Sequence, residues 1–384
     1  MKIATQYHHP VIHVRDASRC VGVLSNLLSP DLKEKYVNEV RNKYAGLKTK
    51  HENRKSEDIY ISLEEARTNR LKVNWDEVKI TKPHFMGNRS LIDYPLEELR
   101  DYIDWTFFFH AWKIPGKYPE IFNDPLKGEE AKKLFEDAQN MIEEIFSKKM
   151  LQAKGVFGFY PARSASEDVI LCRDEQDPEP FSTLHFLRNQ EKKEPGIPNL
   201  SLADFIAPQD SGKVDYIGLF AVTAGIGIEK WVKHYEEALD DYSSFMLKIL
   251  ADRFAEAFAE RLHERVRKEY WGYAAGENIP VPEMLKEEYQ GIRPAPGYPG
   301  CPEHSEKRTI FDLLEAEKNA GITLTENFAM YPAAAVSGYY FSHEFSRYFN
   351  LGKVSGEQVK DYAIRKNIPI EQAKKYLRQN LINE

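Results

Sequence analysis

Four prolines in twelve residues set apart the segment Arg293-Pro294-Ala295-Pro296-Gly297-Tyr298-Pro299-Gly300-Cys301-Pro302-Glu303-His304. Each proline fixes its own φ, removes a donor and pushes the preceding residue toward extended geometry, so the run can be neither regular helix nor central strand. A loop that is already stiff loses little further entropy when it takes a ligand. Arg293 would bring a planar fork of donors suited to a carboxylate, and Tyr298 a ring and a hydroxyl. The same composition suits a surface turn, and physics alone leaves the two readings balanced.

Other residues could carry charge into a site. Asp104 could answer an ammonium, or pair with Arg100 one helical turn earlier, an interaction worth roughly a few tenths of a kcal/mol. Taken in isolation, its surroundings favour the pair. Asp252 and Glu256 are spaced i,i+4 and fall opposite the apolar seam of Leu250, Phe254 and Ala257, the pattern of a solvated helix face. Metal chemistry finds no support: neither HExxH nor paired Cys/His spacing occurs, and His8, His9 and His13 read as a tail. Cys20, Cys172 and Cys301 are too far apart in sequence for a zinc knuckle or a disulfide framework, which fits a reducing cytoplasm.

The proline-rich string extends to RPAPGYPGCPEHSEK, and it is one of several long motifs in order. The others are Asp101–Trp112 (DYIDWTFFFHAW), Gly116–Pro119 (GKYP), Leu202–Ala207 (LADFIA), Asp215–Thr223 (DYIGLFAVT), Ala251–Tyr273 (ADRFAEAFAERLHERVRKEYWGY) and Ser337–His343 (SGYYFSH). Together they resemble the S-adenosylmethionine-binding activation domain of cobalamin-dependent methionine synthase, from about residue 55 onward, and residues 11–22 resemble the connector that follows the cobalamin-binding domain.

The resemblance implies a site. Arg293 would grip the ligand's carboxylate and Asp104 its ammonium. Tyr348 and Phe349, in SRYFN, would contact the ligand, with Ala295 in the same proline-rich loop. Tyr298 would lie beside the cobalamin face, and Glu256 near the ligand and the docked cobalamin domain. Gly300 stands where the family pattern has alanine, and Phe349 where it has tyrosine, so a hydroxyl contact there is lost.

The implied activity is reductive reactivation. A flavodoxin-like protein delivers an electron to cob(II)alamin, and the cob(I)alamin so formed takes the methyl group of S-adenosylmethionine. The sulfonium already makes that methyl electrophilic, so no catalytic residue is expected and the work is positioning. No DxHxxG motif occurs, so cobalamin is expected on a neighbouring domain. Zinc, homocysteine and folate sites would belong to a portion outside this chain, which is expected to act as part of a methyltransferase and not to make methionine alone. A start inside the connector favours a piece of a larger enzyme.

The elements that must hold these residues are mixed. A short strand over residues 11–14, a helix capped by Asp16 or Ser18 and carrying Val21, Leu24, Leu27 and Leu28, and a second helix through Leu32, Tyr36, Val40 and Tyr44 open the chain. Residues 46–58 are charged and apolar-poor and read as a linker, giving a connector over 1–50 and one large domain over 51–384. Helices are expected over 63–71, from Pro95 with Leu96, Leu99, Tyr102 and Ile103, and over 129–148. Short β-rich runs follow at 155–160, 168–173 and 182–187, with a more hydrophobic, central strand at 216–223. One long helix is expected over 228–270, then helix 310–319, a β-like run 323–328 and helices 355–366 and 370–377. Strands grouped between helices argue for α+β with a mainly antiparallel sheet.

Two rivals remain. Strand 216–223 followed by Ala224-Gly225-Ile226-Gly227 and a helix mimics a Rossmann-type methyltransferase, but no third glycine stands in register. The acids at Asp240 and Asp241 fall inside a helical pattern where a second strand should end. Trp231, Tyr235 and Tyr242 suit core or interface better than a substrate cage. The other rival is a non-catalytic docking module for a flavoprotein. In 384 residues with a net charge of −7, a general nucleic-acid surface is not expected, and no apolar run is long enough to cross a membrane.

Overall fold

A computed structural model describes residues 11–13, 20–30, 32–57, 60–176 and 179–382. The chain divides into two units, Met1–Ile61 and Ser62–Glu384. In the first, α1 (Cys20–Leu28) and α2 (Lys33–Glu57) are separated near Pro30, as the sequence leads one to expect. The linker expected over 46–58 is instead the second half of α2. Charge does not oppose helix: Lys, Glu and Arg are good helix formers, and no proline interrupts the run. Residues 11–13 carry no strand, and His13 N donates to the Tyr44 hydroxyl at 3.0 Å. Val14, Asp16, Ser18, His8 and His9 lie outside the described residues.

The second unit begins with α3 (Leu63–Thr68), capped by Ser62 and Glu65 in a reciprocal capping box. Next come β1 (Gly87–Tyr94), a 3-10 segment Leu96–Tyr102, α4 (Trp105–Ala111) and α5 (Gly128–Lys148). The inner face of α5 buries Ala131, Leu134, Ala138, Met141 and Ile145 at the expected helical spacing. Strands β2 (Gln152–Ala165), β3 (Asp168–Cys172), β4 (Pro180–His185) and β5 (Asp215–Ile226) follow. Then come α6 (Ile228–Glu237), α7 (Asp241–Arg265), a π-turn Val266–Tyr270 and α8 (Val281–Met284). After the proline-rich loop lie α9 (Glu306–Leu314), α10 (Ala316–Ala320), the two-residue strands β6 (Thr323–Leu324) and β7 (Met330–Tyr331), β8 (Ala335–Tyr340), α11 (Gly356–Arg365) and α12 (Ile370–Tyr376).

The main sheet runs β4-β3-β2-β5-β8, and β1 also pairs with β2. The long β2 serves two neighbours on one side, β1 along Ala153–Phe159 and β3 along Ala162–Ala165, with β5 along the other. Every ladder is antiparallel. That removes the Rossmann reading, which needs parallel strands and crossovers. Gly225 is explained by packing: a Cβ there would lie 2.9 Å from Pro332.

Alternation sends β5 side chains to two cores. Phe220, Val222 and Ala224 pack with Phe157, Phe159 and the α7 residues Leu250, Phe254 and Phe258 on one face. Ile217, Leu219 and Ala221 pack with Ile310, Phe311 and Leu314 of α9 on the other. A strand buried on both faces reads as a continuous apolar run, which is why 216–223 is recognisable as central. A smaller cluster joins Leu187, Leu351 and Val354 to Val359 and Tyr362 of α11.

The single helix expected over 228–270 is broken. Leu239 takes φ +58, and Asp240 caps a new helix by accepting from Ser243 N at 2.9 Å. Tyr242 and Phe245, expected on the apolar seam, are about half exposed, whereas Met246, Ile249, Leu250, Phe254, Ala257 and Phe258 are buried. Tyr235 is buried in the core, in keeping with its expected place. Likewise 310–319 is two helices, hinged at Glu315 in the left-handed region.

Candidate ligand cleft

Stretches far apart in sequence meet at one cleft of about 680 Å³, lined by Asp104, Glu256, Arg293, Ala295, Tyr298, Tyr348 and Phe349. These are the seven residues expected at a site. Asp104 comes from the start of α4, Glu256 from the middle of α7, the next three from the proline-rich loop and the last two from the segment after β8.

The loop is held by the sheet. Ile292 and Phe341 exchange backbone hydrogen bonds of 2.9 and 3.0 Å, and Tyr339 N donates to the Pro294 carbonyl at 2.9 Å. Residues 292–294 therefore run along the edge of β8 that β5 leaves open. Gly338 permits the approach, because a Cβ there would lie 2.4 Å from the Pro294 oxygen. Beyond Pro294 the chain folds back, with Tyr298 N donating to Ala295 O at 3.1 Å and Gly297 N to Cys301 O at 2.8 Å. The Cys301 thiol donates to the same Ala295 carbonyl. Leu351 N donates to Pro299 O at 2.9 Å and ties the loop to the segment carrying Tyr348 and Phe349. A methyl at Gly300 would sit 3.2 Å from the Phe349 carbonyl, so alanine there asks for a small shift only.

Arg293 is anchored from two sides. Its backbone N donates to the Tyr348 hydroxyl at 3.0 Å. Its Nη2 donates to Glu260 Oε1 at 2.9 Å, and Nε reaches the same carboxylate at 3.3 and 3.4 Å. The side chains of Arg293 and Glu260 are 18% and 6% exposed. Burial alone would lower the Arg293 pKa, but the Glu260 charge more than offsets it and holds the guanidinium well above its ordinary value. Close by, His263 stacks on Tyr340 with ring centroids 5.2 Å apart. Burial first, then the charges of Arg267 and Arg293, push its pKa well below the usual histidine range. It is neutral, so Arg293 has no imidazolium beside it.

Asp104 does not pair with Arg100. It is the N-cap of α4, its Oδ1 accepting from Thr106 N at 2.8 Å. Arg100 instead donates to Glu143 and Gln139 of α5, both at 2.7 Å. Nor is the acidic ladder of α7 uniformly solvated. Asp252 is exposed and pairs with Arg253, whereas Glu256 lines the cleft and accepts a 3.4 Å hydrogen bond from the Tyr298 hydroxyl.

Glu260 also lines the cleft and was not anticipated. The signal that could have found it is the continuation of the ladder, Asp252, Glu256, Glu260, at i,i+4 and i,i+8. Phe107 and Arg253 are further unanticipated lining residues, the guanidinium lying 6.0 Å from the phenyl centroid. Among the described residues no three His, Cys, Asp or Glu side chains come together in a way that could hold a metal ion.

Several of the matching motifs meet through buried polar pairs. Asp215 of DYIGLFAVT is joined to His343 of SGYYFSH at 2.8 Å and accepts from Ala207 N of LADFIA at 2.9 Å. Residues 95–367 match the family described as the vitamin B12 dependent methionine synthase activation domain. The chain belongs to that family. It is also similar to a solved structure, the crystal structure of the MetH reactivation domain bound to AdoHcy, with 47% sequence identity and a TM-score of 0.82. The match covers 85% of this chain and 99% of that one. The α+β fold expected from the sequence is thus the fold of the activation domain, with its antiparallel sheet and flanking helices.

Proposed function

We propose that this cleft binds S-adenosylmethionine and that the chain supports reductive remethylation of cobalamin within a methionine synthase. The observation that carries the reading is the convergence of Arg293, Asp104 and three aromatic residues on one cleft, in an activation-domain chain similar to a structure that holds AdoHcy. Its volume lies inside the range of roughly 300–1,000 Å³ usual for small-molecule sites.

The donor set fits the ligand group by group. Arg293 Nη1 has no hydrogen bond among the described residues and can meet a carboxylate. Asp104 spends only Oδ1 on its cap and has Oδ2 for an ammonium. The rings of Tyr298, Tyr348 and Phe349 suit an adenine and a sulfonium. Cobalamin, carried by a neighbouring domain, supplies the metal centre that accepts the methyl group. This chain contributes position: it holds the sulfonium ligand so that the methyl can face its acceptor in line. No acid or base is assigned, because the ligand's own charge activates the methyl.

Phe107 and Tyr298 are more than half exposed at the rim and offer apolar surface to a cobalamin-binding domain. The N-terminal segment is read as the connector to that domain, and a flavodoxin-like protein as the electron donor. The wide spacing of the three cysteines in sequence supports reading the setting as a reducing cytoplasm. No described helix is long and apolar enough to cross a membrane. The chain acts as one module of a methyltransferase and does not make methionine alone.

Isothermal titration of the 384-residue chain with S-adenosylmethionine tests the reading, with thermal stabilisation as a second readout. Heat of binding and a raised melting temperature are expected. A chain that binds a flavoprotein yet shows neither response to the ligand would be a docking module only.

A further inference from the structure

We infer that Glu260 is the positioning residue of the carboxylate subsite, setting Arg293 so that one edge of its fork stays open to the ligand. The inference rests on the proposed reading of the cleft and goes beyond it by assigning a role to a residue that neither motif nor resemblance singled out.

A guanidinium has a side-on edge, Nε with Nη2, and an end-on edge, Nη1 with Nη2. Glu260 takes the side-on edge: Oε1 accepts from Nη2 at 2.9 Å and from Nε at 3.3 Å, and Oε2 from Nε at 3.4 Å. Nothing described bonds Nη1, although Arg293 lines the cleft. The end-on edge is therefore the part left for an incoming carboxylate. Two carboxylates can share one guanidinium in this way without displacing each other.

Glu260 is itself fixed. It sits in the middle of α7 and is 4% exposed, so its carboxylate has little room to swing. The Tyr289 hydroxyl donates to its Oε1 at 3.4 Å. Tyr289 in turn lies edge-on to His263, 5.0 Å between centroids, and under the Arg267 guanidinium at 4.0 Å. Arg267 is locked by a bidentate pair with Glu277. A rigid series of groups thus ends on the one arginine expected to touch ligand. Preorganisation of this kind lowers the entropy lost on binding.

Removing the carboxylate would free Nε and Nη2 and leave a nearly buried cation to find another partner. A glutamine would act differently. With its carbonyl oxygen at the Oε1 position, it keeps the 2.9 and 3.3 Å contacts and the bond from Tyr289, loses the charge, and replaces the longest contact by a weak opposition of two donors at 3.4 Å.

The test compares Glu260→Ala and Glu260→Gln in the full chain by titration calorimetry, with S-adenosylmethionine and with decarboxylated S-adenosylmethionine, which lacks only the carboxylate. Glu260→Ala should raise the dissociation constant for S-adenosylmethionine about thirtyfold or more. It should change that for the decarboxylated ligand by less than about threefold. Glu260→Gln should stay within about threefold of the parent for both ligands. Thermal melts identify any variant that fails to fold, and the glutamine variant keeps the question open to measurement if alanine does so. Equal weakening toward both ligands, unchanged binding or tighter binding of S-adenosylmethionine in the alanine variant overturns the role, as does a glutamine variant weakened as far as alanine would be. If the parent chain binds neither ligand, the proposed function fails first and the subsite with it; if the parent binds and the variants do not differ, only the subsite fails.

Discussion

Two ion-paired arginines of this domain, Arg188 buried and Arg293 partly so, have nearly the same chemistry and different degrees of satisfaction. Arg188 is 1% exposed and all three of its nitrogens are engaged: Nε by Glu167, Nη1 by Asp204 and the Asn199 carbonyl, Nη2 by Asp204. Glu167, fully buried, also receives Arg67, which reaches on to Asp361 of α11. Arg293 has one carboxylate, keeps a nitrogen without a partner and is open to a cleft. A closed set of charge-assisted bonds fixes elements relative to one another. An incomplete one, held rigid, is a place for something else to bind. The number of unused donors separates the two better than burial does.

The contrast can be broken at either end. The largest effect is expected for Arg188→Ala, which strands Glu167 and Asp204 and should lower unfolding stability by about 3–5 kcal/mol in denaturant titration. Its folded fraction should still bind S-adenosylmethionine with near-parental affinity. A mild loss of stability would mean that the network is less closed than its geometry implies.

Acid should find the same region. Burial would raise the Glu167 pKa, but Arg67 and Arg188 outweigh it and bring it down to about 2. Unfolded, the group titrates near ~4.3, so the unfolded chain binds the proton more tightly. The stabilisation, about 3 kcal/mol, is complete above about pH 5 and lost as pH falls toward 2. Melting temperatures measured from pH 6 to pH 2.5 should show this loss, and Glu167→Gln should flatten that part of the profile.

At the cleft the order of effects reverses. Arg293→Ala should weaken S-adenosylmethionine about a hundredfold while costing less stability than Arg188→Ala, since one carboxylate loses its partner instead of two. A binding curve that does not move would put the ligand's carboxylate elsewhere. Smaller still, Asp104→Asn should weaken the ligand by about tenfold with no change in melting temperature, because asparagine caps helices as well as aspartate does. If affinity holds and stability falls, Asp104 is a cap and nothing more.

How much of this was legible follows from what each residue does locally. The proline-rich loop announces itself, because four prolines exclude both regular structures. Strand β5 is legible as a strand buried on both faces, and α5 as an amphipathic helix. β1 is not: its sequence GNRSLIDY is largely exposed and polar, so neither alternation nor an apolar run marks it. β8 was visible as a motif, yet Gly338 and Ser337 give it the composition of a turn. The break at Leu239 escapes periodicity because the apolar spacing continues across it, and only the local backbone and the Asp240 cap reveal it. The second half of α2 looks like linker because helix without an apolar stripe leaves no periodic trace. Glu260 was hidden by its type: an acid on a helix, even one in register with Asp252 and Glu256, is usually solvated, and only the third dimension brings Arg293 to it.

The pairing of residues 292–294 with β8 has a further consequence, for solubility. An outer strand with unpaired N–H and C=O groups invites other chains to add to it. Here the segment leading into Arg293 covers that edge, and its outward-facing Arg293 N–H is already spent on the Tyr348 hydroxyl, so a further strand finds no free donor there. Changes that loosen the loop would therefore bare a long antiparallel sheet at its border. Variants made to probe the ligand should be watched for self-association as well as for binding.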